Sequence, residues 1–274
     1  MGLRPGARAQ FLRGPSLSVA AALLFLLPFP ASPAPAAAAR RQGHPVRPED
    51  SARIGGGSRR WRDVHLTVLF PREGQVVMPG KVFVRLRLRG YRLPGKTPAP
   101  GQEAPNLQLV LDNGAYKTAY DARAPFDLGE LAQGPHTLRV FPARPWHESL
   151  KSCARTCFRT VRFWVGGKSR EADWFDPRQP LLTWSRPKGE YEGEQARRIL
   201  LDFYLTGTRL SPTGDQVKFL LDGKEQEPFT RWMPRWVEGL SPGEHSFKLI
   251  LVNSKGEPLQ NGGGNLLERR IAVK

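Results

Sequence analysis

The chain repeats itself. "LTVLFPREG" (Leu66 to Gly74) returns as "LTWSRPKG" (Leu182 to Gly189), and "LRLRGYRL" (Leu86 to Leu93) returns as "FYLTGTRL" (Phe203 to Leu210). "LVLDNG" (Leu109 to Gly114) returns as "FLLDG" (Phe219 to Gly223), and "LAQGPHTL" (Leu131 to Leu138) returns as "LSPGEHSF" (Leu240 to Phe247). Four matches in the same order mark an internal duplication, and the offset shortens along the chain because loops of the first copy are longer. Each copy spans about 100 residues, enough for a domain of its own.

Within a copy the apolar residues alternate. In "KVFVRLRLRG", Val82, Val84, Leu86 and Leu88 alternate with Phe83, Arg85, Arg87 and Arg89; in "RILLDFYL", Ile199, Leu201, Phe203 and Leu205 alternate with Leu200, Asp202 and Tyr204. A period of two gives a strand with one buried and one wet face. Such short runs, punctuated by Gly, Pro, Asn and Asp and without a helical window, predict an all-β chain of two tandem immunoglobulin-like β-sandwich domains. The first domain is expected over 63–167 and the second over 180–274, joined by a linker at 168–179. The strands of copy one are expected at 64–70, 81–90, 106–112, 115–121, 126–131, 135–142 and 157–165.

Ahead of the duplication, Met1 to Arg13 carries three arginines and no acid, "LSVAAALLFLLPF" is a short apolar run, and "ASPAPAAAA" supplies small residues. That order predicts a signal peptide over 1–39, cleaved near Ala39. The apolar run is shorter than the roughly 20 residues that span a bilayer, and no later run is long enough, so no transmembrane span is expected in the mature chain. Residues 40–62, basic and rich in Gly and Pro, read as a disordered linker. The mature protein is therefore expected to be secreted or periplasmic. Loss of three arginines lowers the net charge from +17 to +14, a balance that attracts polyanions. Export argues against nucleic acid as the working partner and leaves an anionic envelope polymer, a glycan or an envelope protein.

The segments "LVLDNGAYKTAYD", "LGELAQGPHTLRVFPARPWHESLK", "PLLTWSRPKGEY" and "LLDFYLTGTRL" together resemble a group of uncharacterised exported bacterial proteins with two tandem immunoglobulin-like domains. The likeness spans about 200 residues, and "RVFPARPWHES" is its most specific part. It implies fold and location, and no activity.

The densest chemistry lies in "FPARPWHESLKSCARTC", Phe141 to Cys157, which falls between the last two strands of copy one. Its counterpart in copy two is the plain "NSKGEPLQNGGG". The loop after the second strand, "GYRLPGKTPAPGQEAP", is also enlarged, and in this fold both loops emerge at one end. Head-to-tail stacking of the domains would leave that end free, as a ligand platform of Tyr91, Trp146, His147, Glu148 and Lys151. Cys153 and Cys157 suit a disulfide in an oxidising compartment. With His147 they also suit a metal or redox site. No dispersed Ser/His/Asp set, carboxylate pair or phosphate loop is present, so no enzyme and no cofactor are expected. By parity Arg85, Arg87, Arg89, Arg139 and Arg162 point outward, which predicts a basic face on copy one alone. His136 and His245, each after a turn, are expected to face the core and bond to backbone. The expected function is a non-enzymatic envelope-binding or scaffold protein; the alternative is an accessory carbohydrate-binding module for a partner hydrolase.

Overall fold

A computed structural model describes Trp61, residues 63–168, Phe175, Asp176 and residues 178–274. The expected signal peptide and nearly all of the expected lead-in lie outside the described residues, as does most of the linker at 168–179. The first copy contains β1 (His65–Phe70), β2 (Gln75–Val77), β3 (Lys81–Arg89), β4 (Asn106–Leu111), β5 (Lys117–Ala119), β6 (Phe126–Glu130), β7 (Gly134–Ala143), the short helix α1 (Ala154–Cys157) and β8 (Arg159–Val165). The second contains β9 (Leu181–Arg186), β10 (Glu190–Tyr191), α2 (Glu194–Arg197), β11 (Arg198–Thr206), β12 (Gln216–Leu221), β13 (Lys224–Phe229), β14 (Arg235–Glu238), β15 (Gly243–Val252) and β16 (Leu266–Val273).

Both copies build the same sandwich. A three-stranded sheet, β1-β3-β6 or β14-β11-β9, faces a five-stranded sheet, β2-β8-β7-β4-β5 or β10-β16-β15-β12-β13. This is an immunoglobulin-like arrangement. In each copy the first strand ends at a cis peptide before proline, Phe70–Pro71 and Arg186–Pro187. The chain then crosses to the other sheet and pairs in parallel with the last strand, a short strand that the alternation of residues did not reveal. Gly90 and Gly207 close β3 and β11 at positive φ. A Cβ there would lie 2.2 Å from the Asp63 carbonyl oxygen and 2.6 Å from that of Gln179, so the chain entering each sandwich tolerates only glycine.

The alternation in β3 is borne out: Val82, Val84 and Leu86 are buried while Lys81, Phe83, Arg85, Arg87 and Arg89 are exposed. The duplicated histidines hold the same place in both cores. His136 meets Asp112 at 2.6 Å and the Ala132 carbonyl at 2.8 Å; His245 meets Asp222 and the Ser241 carbonyl, each at 2.8 Å. Each Asp also accepts the backbone N–H that follows the histidine, which ties the end of β4 to β7 and the end of β12 to β15.

The two sandwiches belong to one compact unit and pack face to face, which corrects the expected head-to-tail arrangement. β4, β7, β9 and β11 are buried on both sides: Gln108, Val110, Arg139 and Phe141 of copy one and Thr183, Ser185, Asp202 and Tyr204 of copy two point away from their own cores, yet none is more than 1% exposed. The five-stranded sheet of copy one thus lies against the three-stranded sheet of copy two, giving four sheet layers with a third apolar cluster in the seam. That cluster holds Val110, Tyr116, Phe141 and Tyr204, with Phe158 and Trp232 against them. Burying a large side chain contributes about 1.5 to 3 kcal/mol, so the seam stabilises one fixed arrangement. The physical reason for the correction is that near-continuous uncharged runs such as "NLQLVL" and "LLTWS" are strands covered on both faces.

Candidate functional site

The loop between β7 and β8 is held in the seam. Ser149 N–H donates to Asp202 Oδ2 at 2.8 Å, and Lys151 Nζ lies 2.5 Å from Asp202 Oδ1. Tyr204 Oη donates to the Leu150 carbonyl at 3.0 Å, while its ring stacks on Phe158 with centroids 4.5 Å apart. Above β4, Gln108 Nε2 donates to the His147 carbonyl at 2.8 Å, and Ser185 Oγ donates to Gln108 Oε1 at 2.8 Å. Asp202, the one fully buried carboxylate in this network, is balanced by a lysine and a backbone N–H, as a buried charge requires.

The five residues expected at a free tip are instead buried or half-buried. Tyr91 is 8% exposed, and its hydroxyl donates to the Ala143 carbonyl at 2.7 Å. Burial pushes its phenol well above the usual tyrosine range. Glu148 is 7% exposed, accepts from Trp146 Nε1 at 3.0 Å and faces Arg144. Trp146 and Lys151 are half-buried, the latter spent on Asp202. His147 sits at φ 68° beside Tyr116, with ring centroids 5.9 Å apart. Burial first, then the positive charges of Arg186 and Lys188, push its imidazole down to about 3, so at neutral pH it carries no charge. The enlarged loop is a clamp between sandwiches.

Cys153 and Cys157 form a disulfide across the one-turn helix α1. Their sulfurs are joined, so they are not the thiolates that a metal site with His147 would need; among the described residues no three His, Cys, Asp or Glu side chains gather as a metal site. The bond braces the stretch that presents Leu150 and Phe158 to Tyr204.

The basic residues divide between two sheets. Arg139 does point away from its core but lies beneath copy two, 1% exposed, donating to Thr183 Oγ1 at 3.0 Å with its guanidinium carbon 4.2 Å from the Phe175 ring centroid. Burial pushes it down to about 9. Arg162 lies on β8 and pairs with Glu73 at 2.6 Å. Arg85, Arg87 and Arg89 alone make an open row on β3, with Phe70, Thr67 and His65 as cross-strand neighbours. None of the three has an ion-pair partner among the described residues. A shallow cleft of about 720 Å³ lined by Phe70, Arg72, Glu73, Gln75 and Arg85 opens at one end of the row. In register, Arg85, Arg87 and Arg89 correspond to Asp202, Tyr204 and Thr206 of β11, the face that copy one covers.

Sequence reasoning missed Gln108, Ser185, Asp202 and Tyr204 as partners of the loop. The signal was there in the contrast between the two aligned strands, arginines on one and an Asp and a Tyr on the other.

No protein-family model matches the chain, and no curated protein matches it. Among solved structures it is similar to the fibronectin(III)-like modules of CbhA from Clostridium thermocellum, at 12% identity and a TM-score of 0.27, over 76% of this chain and 94% of that one. The central fibronectin-III array of RIM-binding protein is similar at 13% identity and a TM-score of 0.24, over 77% of this chain and 68% of that one. The SGBP-B protein of the Bacteroides ovatus mixed-linkage glucan utilization locus, in complex with a mixed-linkage heptasaccharide, gives 10% identity and 0.23, over 77% and 47%. At such scores these likenesses carry nothing about ligand or activity.

Proposed function

We propose that the chain is an exported, non-enzymatic binding and scaffold protein of the cell envelope, in which the outer face of the β1-β3-β6 sheet contacts an anionic polymer. The observation that supports this most is the row Arg85, Arg87 and Arg89, exposed and without carboxylate partners on the one three-stranded sheet whose outer face the other sandwich leaves open. Alternate residues on a strand stand about 7 Å apart, so three guanidiniums span about 13 Å. That spacing suits repeated charges along a polymer better than one small ion. Lys81 and Phe83, the latter 43% exposed, extend the row, with Glu130 and Asp127 beside them at that end only. The second sandwich is a rigid base.

The test is binding of the full chain to a sulfated polymer such as heparin, to polygalacturonate, to neutral dextran and to isolated cell envelopes, at low and high salt. Binding to the anionic polymers and to envelopes is expected to weaken with salt and to fall about tenfold or more in an Arg85→Gln, Arg87→Gln, Arg89→Gln variant. Equal binding by that variant, or equal binding to dextran, contradicts the proposal, and the second outcome favours the carbohydrate-binding alternative.

A further inference from the structure

We infer that the seam carries a second site, for an oxyanion, formed by Arg186, Lys188 and Arg269 around Tyr116. It does not rest on the β3 row. Three cations of copy two converge on the turn between β4 and β5 of copy one. Lys188 Nζ lies 4.4 Å from the Tyr116 ring centroid and donates to the Tyr116 carbonyl at 2.7 Å. The Arg186 guanidinium carbon lies 5.7 Å from the same ring. Arg269 Nη2 donates to the Gly114 carbonyl at 2.6 Å and to that of Asn113 at 3.3 Å.

Two cations of the clasping loop have acids, Lys151 with Asp202 and Arg144 with Glu148, and Arg139, elsewhere in the seam, donates to Thr183 Oγ1 and lies against the Phe175 ring. Arg186, Lys188 and Arg269 have no carboxylate within ion-pair distance among the described residues. The positive charge is felt by its neighbours. Burial and then Arg186 and Arg269 push the Lys188 ammonium below its ordinary value, and His147 beside Tyr116 is held neutral with its Nδ1 buried and without a hydrogen-bond partner.

Three uncompensated charges sharing a half-buried seam are costly to assemble. Carbonyl oxygens and Tyr191 Oη take some of the donors, but an ammonium has three N–H groups and a guanidinium five. The remainder suit a group with several acceptor oxygens, phosphate, sulfate or carboxylate, that takes charge-assisted hydrogen bonds from two or more cations at once.

The test follows thermal unfolding of the full chain against inorganic phosphate at constant ionic strength, with chloride as the balancing ion. The wild type is expected to show a saturating rise in Tm of roughly a few degrees. Lys188→Gln and Arg269→Gln are expected to abolish it, while the β3 triple-glutamine variant keeps it. These two variants also lose contacts to the β4–β5 turn, so phosphate is titrated in parallel into the wild type while the ring resonances of His147 and Tyr116 are followed by NMR; they are expected to move and saturate together. A rise that persists in both variants, or wild-type resonances that stay put, overturns the inference. A short polyphosphate that acts at lower phosphate concentration than the free ion assigns the site to a polymer's pendant groups; equal potency assigns it to the free anion.

Discussion

His147 is the residue whose chemistry the fold alters most. Its imidazole titrates near 3 in the folded chain against an ordinary value of 6.5, so folding favours the neutral ring. Its contribution is complete above about pH 6.5 and is lost as pH falls toward 3, at up to about 1.4 kcal/mol per unit. His136 and His245 behave oppositely. The Asp112 hydrogen bond raises His136, and for His245 the Asp222 and Ser241 bonds outweigh the larger opposing effect of burial. Their stabilisation is complete below 6.5 and is lost as pH rises through their raised values. Between pH 7 and 4.5, then, His147 is the histidine that drives acid destabilisation. Urea unfolding at those two pH values is expected to show the wild type losing about 2 kcal/mol more than a His147→Gln variant; equal losses would mean that the ring is not held neutral.

Among the elements, β11 and the loop between β7 and β8 form the working joint, and the Asp202–Lys151 pair is its charged part. Lys151→Met leaves a buried carboxylate without its cation, and Asp202→Asn leaves a lysine without its acid. Each is expected to cost about 2 to 4 kcal/mol, with the double variant costing clearly less than the sum and a coupling above about 1 kcal/mol, read by chemical denaturation. Additive losses would mean that the loop is not clasped through this pair. The strands themselves were legible because alternation and turn residues are local signals: "KVFVRLRLRG" declares its faces without help from the rest of the chain. The destination of the loop was not. Trp146, His147 and Glu148 on an enlarged connection look the same in sequence whether they meet a ligand or a neighbouring sandwich, and only the partner surface, Asp202 and Tyr204 on a distant strand, tells which.

For the molecule as a whole, duplication has produced one sandwich twice and used its faces differently. The three-stranded sheet of copy two, with Asp202 and Tyr204, is covered, while that of copy one, with Arg85, Arg87 and Arg89, is open. The outer positions of the five-stranded sheet differ in the same way. Gln108 and Arg139 are buried against copy two, whereas the matching Lys218 and Lys248 of copy two are half-exposed and paired with Glu225 and Glu268. Parity in the sequence places every one of these side chains on the correct side of its strand, including Arg139. It does not say which outward faces are wet, since that depends on how two complete sandwiches meet. The measurement that tests this account most directly is the hydrogen-exchange footprint of an anionic polymer on the full chain. Protection confined to β1 and β3, around Thr67 and Arg85 to Arg89, is the predicted result. Protection at Trp146 to Lys151 with β3 unchanged would contradict it and return the enlarged loop to the role of ligand platform.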